Sequence, residues 1–273
     1  MIRIRPVKTI DEFLACEDIQ KQVWHFDDRE IVPKNELIAI QLSGGIVLGA
    51  FAGGRMVGFT FGLPGVHRGK VYLSSRMLAV LPDVRNQGVG HDLKLAQRAH
   101  ALRMGFPLVT WTFDPLQSLN AYLNIEKLGV IIRDYRVNLY GTMTSPMSRG
   151  LDTDRFVPEW WIGSRRVREV LAGRRPKLEP ARVLGHAGWA PANGTRVEGG
   201  VRMAGPARTG LRERHVLVEI PGDIHAVRSR RLDVARRWRA ETRRAFRHYL
   251  GRGYVVTRFA SGSVDGERRS FYV

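Results

Sequence analysis

Alternating apolar and polar residues mark Ile2 to Val7 as a short strand, after which the spacing becomes helical. Thr9-Ile10-Asp11-Glu12 reads as a capping box opening a helix that runs toward Trp24, with Phe13, Cys16 and Val23 on its apolar positions. A second short helix spans Pro33 to Leu42 and closes at Gly44-Gly45. Ile46 to Ala52 and Met56 to Leu63 are apolar and rich in β-formers, and the Gly53-Gly54 pair between them predicts a hairpin. A third strand, Val71 to Val80, follows the turn Gly65 to Gly69 and ends at Leu81-Pro82.

Past Arg85 to Gly90 the pattern is helical again, with Val89, Leu93, Ala96 and His100 on the packed face and Asp92, Lys94, Gln97 and Arg98 elsewhere. Leu108 to Phe113 reads as a buried strand. Asp114-Pro115 opens a helix reaching Leu128 and stopping at Gly129, and Val130 to Tyr140 returns as a strand. Gly141 to Thr153 is a loop suited to covering a site, and Phe156 to Ile162 is strand-like. Gly163 to Glu213 shows little periodicity. Order returns with strand His215 to Ile220, helix Leu232 to Leu250, and strands Tyr254 to Phe259 and Ser270 to Val273.

This succession predicts an α/β protein of the α+β kind, with a mixed sheet and helices on both faces. The expected divisions are a first domain over 1–162, a linker or irregular excursion over 163–214, and a β-α-β-β unit over 215–273 that packs on the first sheet or completes it.

Composition narrows the class. The chain has 273 residues and 44% hydrophobic content, enough for a real core. Its one cysteine, Cys16, excludes an internal disulfide and a cysteine-built zinc site, and no metal site is expected. No signal-like start and no run of about 18 apolar residues is present, which predicts a soluble, cytoplasmic protein without a membrane partner. Net charge is +18 and uneven: 18 Lys+Arg face 13 Asp+Glu in residues 1–150, and 26 face 13 in residues 151–273. A nucleic-acid partner is disfavoured, because 37 of the 44 cations are arginine and no aromatic platform interleaves them. A solvated basic face, including Arg239 and Arg243 four apart on the last helix, is the favoured reading over a carboxylate or phosphate clamp.

The chemistry concentrates at Arg85-Asn86-Gln87-Gly88-Val89-Gly90. A strand leading through two glycines into a helix lets backbone amides approach an anion closely, with the positive end of the helix dipole behind them. Walker and dinucleotide-fold spacings are both absent, so ATP and NAD are excluded as first readings.

With its lead Leu78-Ala79-Val80-Leu81-Pro82-Asp83-Val84, this loop resembles the GNAT superfamily of acyl-CoA-dependent N-acyltransferases over about residues 1–162. Trp111 to Leu116 (Trp-Thr-Phe-Asp-Pro-Leu) and Glu159-Trp160-Trp161 resemble a predicted acetyltransferase branch of it. The resemblance implies a GNAT fold, with residues 215–273 as a degenerate GNAT-like half-domain lacking a second pyrophosphate loop. It implies acetyl-CoA or another acyl-CoA as the phosphopantetheine thioester donor. Arg85, Asn86, Gln87, Gly88, Val89 and Gly90 would hold the pyrophosphate, Leu78, Ala79 and Val80 the pantetheine arm, and Asn120 is a further cofactor contact. An amide near Ala79 or Val80 would polarise the thioester carbonyl.

The second family motif departs from its pattern. Ser118 stands for the usual Asn and Ile125 for the usual Tyr, with Tyr122 one turn earlier as the substitute acid or a packing residue. Asp114 is the first candidate base or a helix N-cap, with Glu159, His25 and Asp27 as alternatives. His25, Arg76 and Trp111 are candidate substrate contacts. Arg76, inside an apolar strand, would hold a carboxylate or a structural ion partner, while Trp111, Trp160 and Trp161 are favoured as core.

The reading is transfer of an acetyl or other short acyl group to the amine of a small molecule, an amino acid being one option, by direct attack on the thioester. Alternatives are an acidic acyl carrier protein as donor, or a non-catalytic CoA- or nucleic-acid-binding module. A homodimer is left open.

Overall fold

The computed structural model of the protein describes residues 2–67, 69–141 and 150–273. Most of the expected cover loop, residues 142–149, lies outside the described residues. The chain divides into two compact units, Met1–Trp111 with Trp160–Ser164, and Thr112–Met143 and Ser148–Glu159 with Arg165–Val273. The grouping departs from the boundary expected at 162.

In the first unit, strand β1 (Ile2–Pro6) leads to α1 (Ile10–Trp24), whose capping box forms as the sequence predicts. Arg5 bonds both oxygens of Glu12 and holds its carboxyl down to about 2. Helix α2 (Lys34–Leu42) and strands β2 (Ile46–Ala52), β3 (Arg55–His67) and β4 (Lys70–Val80) follow. Then come α3 (Val89–Arg103) and the two-residue β5 (Val109–Thr110). The strands pair in sequence order, antiparallel from β1 to β4 and parallel between β4 and β5. This is the mixed sheet the sequence predicts.

Strand alternation sorts the helices. Phe59, Phe61 and Ala79 pack with Phe13, Cys16, Ile19 and Leu37 of α1 and α2. Thr60 and Ser75 point to the other face, where they reach Gln97 and Lys94 of α3. Burial of each large apolar side chain on the α1 face contributes about 1.5–3 kcal/mol to this unit. The α3 face differs from the expectation: Val89, Leu93, Lys94, Gln97 and Ala101 are buried, whereas Ala96 and His100 are only half-buried. The helix is rotated toward two polar residues because Ser75 and Thr60 supply partners for them.

In the second unit, residues 114–117 form a turn, and the expected long helix is a short α4 (Ser118–Tyr122) running into a π-helical turn (Leu123–Lys127). Strands β6 (Ile131–Arg136) and β7 (Arg155–Trp160) pair antiparallel. The stretch expected to be irregular contains α5 (Arg165–Leu171), α6 (Pro180–Leu184), β8 (Trp189–Pro191), β9 (Asn193–Glu198) and β10 (Val201–Ala207). The β9/β10 hairpin turns at Gly199-Gly200, both with positive φ.

Strand β11 (His215–Pro221), helices α7 (Ile224–Arg230) and α8 (Leu232–Gly251), and strands β12 (Phe259–Val264) and β13 (Glu267–Tyr272) complete the chain. The last hairpin turns at Asp265-Gly266, and the predicted strand Tyr254 to Phe259 contributes only its final residue. These strands form their own sheet, ordered β12-β13-β11-β8. Phe156 of β7 packs edge-on against Phe246 of α8 and Tyr272 of β13, which explains why β7 groups with the carboxy-terminal half.

Candidate functional site

Strand β4 ends at Val80 and passes through a 3-10 turn, Pro82–Val84, into the glycine loop. Asn86 and Gly88 take positive φ, 63° and 86°, and Gly88 is the N-cap of α3 without a side-chain capping bond. The amides of Gln87, Gly88, Val89 and Gly90 therefore find no acceptor among the described residues, and they face an exposed loop at the positive end of the helix dipole. Arg85 donates from Nε to the Val80 carbonyl at 3.2 Å, and Gln87 donates to the Asp83 carbonyl at 3.4 Å. Both side chains tie the loop to the strand end.

The two glycines have different causes. At Gly88 the backbone φ excludes an ordinary side chain, although space is open. At Gly90 an added Cβ would meet only Val80 and Leu78 side chains, at 3.7 and 3.8 Å, which is ordinary contact. Protein packing does not demand a glycine there. A cradle for a bound anion does, so the residues fit a pyrophosphate.

Strand β4 is paired with β3 from Lys70 to Val80 but, among the described residues, with β5 only at Leu73 and Ser74. Leu81 donates its amide to Val57 on β3, so strand alternation turns the amides of Val80 and Leu78 to the opposite, open edge and that of Ala79 toward β3. Arg76 occupies the bulge where the register changes between Phe61 and Gly62. It is exposed, because the bulge re-aims it.

Behind this edge lies a polar cluster the sequence reading missed. Lys94 is buried, and its Nζ donates to Ser75 Oγ at 2.8 Å and Gln97 Oε1 at 3.1 Å. It also sits 3.8 Å from the Trp111 ring centroid. No carboxylate among the described residues pairs with it, and burial pushes the amine down to about 7. Gln97 continues the chain to Thr60, whose hydroxyl donates to the Met77 carbonyl at 2.8 Å. The signal was present in the sequence: Lys94 and Gln97 sit at i and i+3 on the stripe that begins at Val89.

Trp111 is half-buried and meets the buried Trp160 edge-on at 5.9 Å. Trp161 is 40% exposed, so only Trp160 is plainly core. His25 is the exposed left-handed C-cap of α1, and Asp27 accepts from the Arg29 amide in the following turn.

The remaining candidates belong to the second unit. Asp114 accepts from the Leu116 amide at 2.8 Å and from Arg239 Nη2 at 2.7 Å. Glu159 pairs with Arg133 at 2.6 Å. Tyr122 is half-buried with Lys127 Nζ 5.8 Å from its ring centroid, and Asn120 is exposed. Ser118, at the altered motif position, bonds Ser270 at 2.8 Å, while Ile125 is fully buried. Nor do Arg239 and Arg243 form a solvated face: Arg243 pairs with Asp152 at 2.6 Å and with buried Asp154 at 2.7 Å. A cavity of about 390 Å³ walled by Val216, Val218, Phe246 and Tyr272 includes none of the predicted residues.

Neither a protein-family model nor a curated protein matches the chain. Among solved structures, the ribosomal-protein-S18-alanine N-acetyltransferase from Escherichia coli aligns at 18% identity over 60% of this chain and 96% of its own, with a TM-score of 0.47. Aminoglycoside 6'-acetyltransferase type Ii aligns at 18% identity over 60% and 99%, with a TM-score of 0.48. A GNAT family acetyltransferase from Elizabethkingia anophelis with acetyl-CoA bound aligns at 19% identity over 59% and 97%, with a TM-score of 0.43. At these identities and scores the likeness assigns no activity to this chain.

Proposed function

We propose that the protein is an acyl-CoA-dependent N-acyltransferase, moving an acetyl or other short acyl group to the amine of a small molecule. One observation carries this: the unpaired edge of β4 runs directly into the uncapped amides behind Gly88. An extended arm ending in a pyrophosphate requires donors in that order, and ATP or NAD loops do not supply a free strand edge before them.

Gln87 to Gly90 would hold the pyrophosphate through backbone amides. Leu78 and Val80 would bond the arm, and the thioester, once bound, supplies the activated acyl carbonyl. The Arg85 bond to Val80 and the cluster of Lys94, Ser75, Gln97 and Thr60 brace both sides of this edge, so the donors are fixed before a ligand arrives. Transfer to an amine needs an oriented carbonyl and a proton acceptor, not a nucleophilic side chain. Asp114, Tyr122 and Glu159 remain the proposed proton-transfer groups, with His25, Arg76 and Trp111 proposed at the acceptor. Cys16 is buried and its thiol is pushed up to about 12, which agrees with a mechanism lacking a cysteine nucleophile.

Titration of acetyl-CoA with tryptophan fluorescence as readout tests the reading, followed by mass spectrometry of reactions with an amine panel. Absence of saturable CoA binding overturns it. The charge of residues 151–273, 26 cations against 13 anions, supports a second version in which an acidic carrier protein delivers the acyl group. Salt inhibition confined to the carrier-dependent reaction would favour that version. A cytoplasmic location is part of the same proposal, in keeping with a single unpaired cysteine.

A further inference from the structure

Helix α8 carries a guanidinium where its packing pattern calls for an apolar residue. Ala235, Trp238, Thr242, Ala245, Phe246 and Tyr249 form its buried stripe, and Arg239 lies among them with a side chain only 4% exposed. Its Nη2 is bonded to Asp114, but Nε and Nη1 have no hydrogen-bond partner among the described residues. Between them these atoms carry three N–H groups of a permanently charged side chain. Leaving such donors unmet in a low-dielectric interior costs more than leaving neutral ones, so a partner is required.

Among the described residues, the polar groups that share its field are already engaged. Asp114 has one oxygen on Arg239 and the other on the Leu116 amide. Asp154 is bonded by Arg243, Tyr135 and the Asn138 amide. Tyr272 directs its hydroxyl to the Pro115 carbonyl at 2.7 Å.

We propose that Arg239, held by Asp114, is the anchor of a binding site for a small organic monocarboxylate in the second unit. A guanidinium suits a carboxylate, and with Nη2 held by Asp114 the unmet Nε and Nη1 lie on different edges of the plane, each able to donate to one carboxylate oxygen. The proposal shares Asp114 with the proton-transfer groups of the donor reading, but its anchor, Arg239, lies outside the glycine loop and is tested separately from it.

The test uses the full chain and isothermal titration with acetate, propionate and benzoate against their primary amides and against chloride. Saturable binding of a carboxylate, with the matched amide and chloride at least about tenfold weaker, is expected for one charge-assisted contact. Arg239→Lys keeps the charge but loses the planar donors and should weaken that carboxylate by about tenfold or more. Equal binding of acid and amide, no binding of any carboxylate, or unchanged affinity in Arg239→Lys overturns the site; the first two are read on the wild-type protein, whatever the variant's folding. Coenzyme A titrated in parallel reports the glycine loop separately.

Discussion

Lys94 Nζ lies 3.8 Å from the centre of the Trp111 ring, joining the helix behind the glycine loop to the residue that follows β5. The indole face and two oxygen acceptors favour the ammonium, while burial disfavours it and brings its value down to about 7.

That depression has a sign. The unfolded chain keeps Lys94 protonated up to its ordinary 10.5, so between about 7 and 10.5 it binds the extra proton. The burial penalty is full below pH 7 and fades as pH rises toward 10.5. Relative to Lys94→Met, which carries no charge, the wild type should gain a few kcal/mol between pH 7 and pH 10. Urea denaturation of both proteins across that range measures it, and a pH-independent difference would rule out the titration.

The two loop glycines should separate on substitution. Gly88→Ala forces a side chain into positive φ and should lose about 1 kcal/mol or more of stability. Gly90→Ala meets only ordinary contacts and should hold or raise stability by up to about 1 kcal/mol, while weakening coenzyme A binding by about tenfold or more. Thermal melts paired with coenzyme A titrations check both. Undiminished binding in a well-folded Gly90→Ala protein would remove the pyrophosphate from this cradle.

Cys16 sits against Met56, with the sulfurs 3.8 Å apart and the thiol fully buried. At pH 8 the folded protein should resist a thiol reagent such as iodoacetamide and react stoichiometrically only in denaturant. Rapid labelling without denaturant would contradict this.

Asp154 is the hub of the second unit's charged network. Burial works against its charge, but bonds from Arg243, Tyr135 and the Asn138 amide outweigh that and lower its pKa. The stabilisation is therefore full above the ordinary value near 3.8 and is lost as pH falls through the lower folded value. Asp154→Ala should cost about 3–5 kcal/mol at pH 7, because Arg243 and the Tyr135 hydroxyl lose a buried acceptor, and the deficit should shrink in acid. Chemical denaturation at pH 7 and pH 3 tests the size and the trend.

The first unit was legible because its signals are local. The capping box at Thr9, the Gly53-Gly54 hairpin and the strand-loop-helix at Gly88 all occur as read. What escaped depended on distant partners. Lys94 and Gln97 read as lying off the packed face, but Ser75 and Thr60 supply oxygens for them, and Arg239 reads as part of a solvated face, but Asp114 meets it across 125 positions of sequence. Residues 163–214 read as irregular in sequence, although Gly199-Gly200 is the same kind of hairpin signal as Gly53-Gly54. There the high arginine and proline content masked short elements that are held by side-chain bonds, such as Arg166 to the carbonyls of Gly129 and Thr257.

The edge of β4 that goes unpaired beyond Ser74 also bears on persistence. A strand edge lacking a neighbour is a weak point for local opening and for adhesion to other chains. If the donor's arm fills that edge, occupancy mends the sheet, and resistance to proteases rises with ligand concentration by mass action. Abundance of the protein in a cell would then follow the metabolic supply of its donor, with the starved form cleared first.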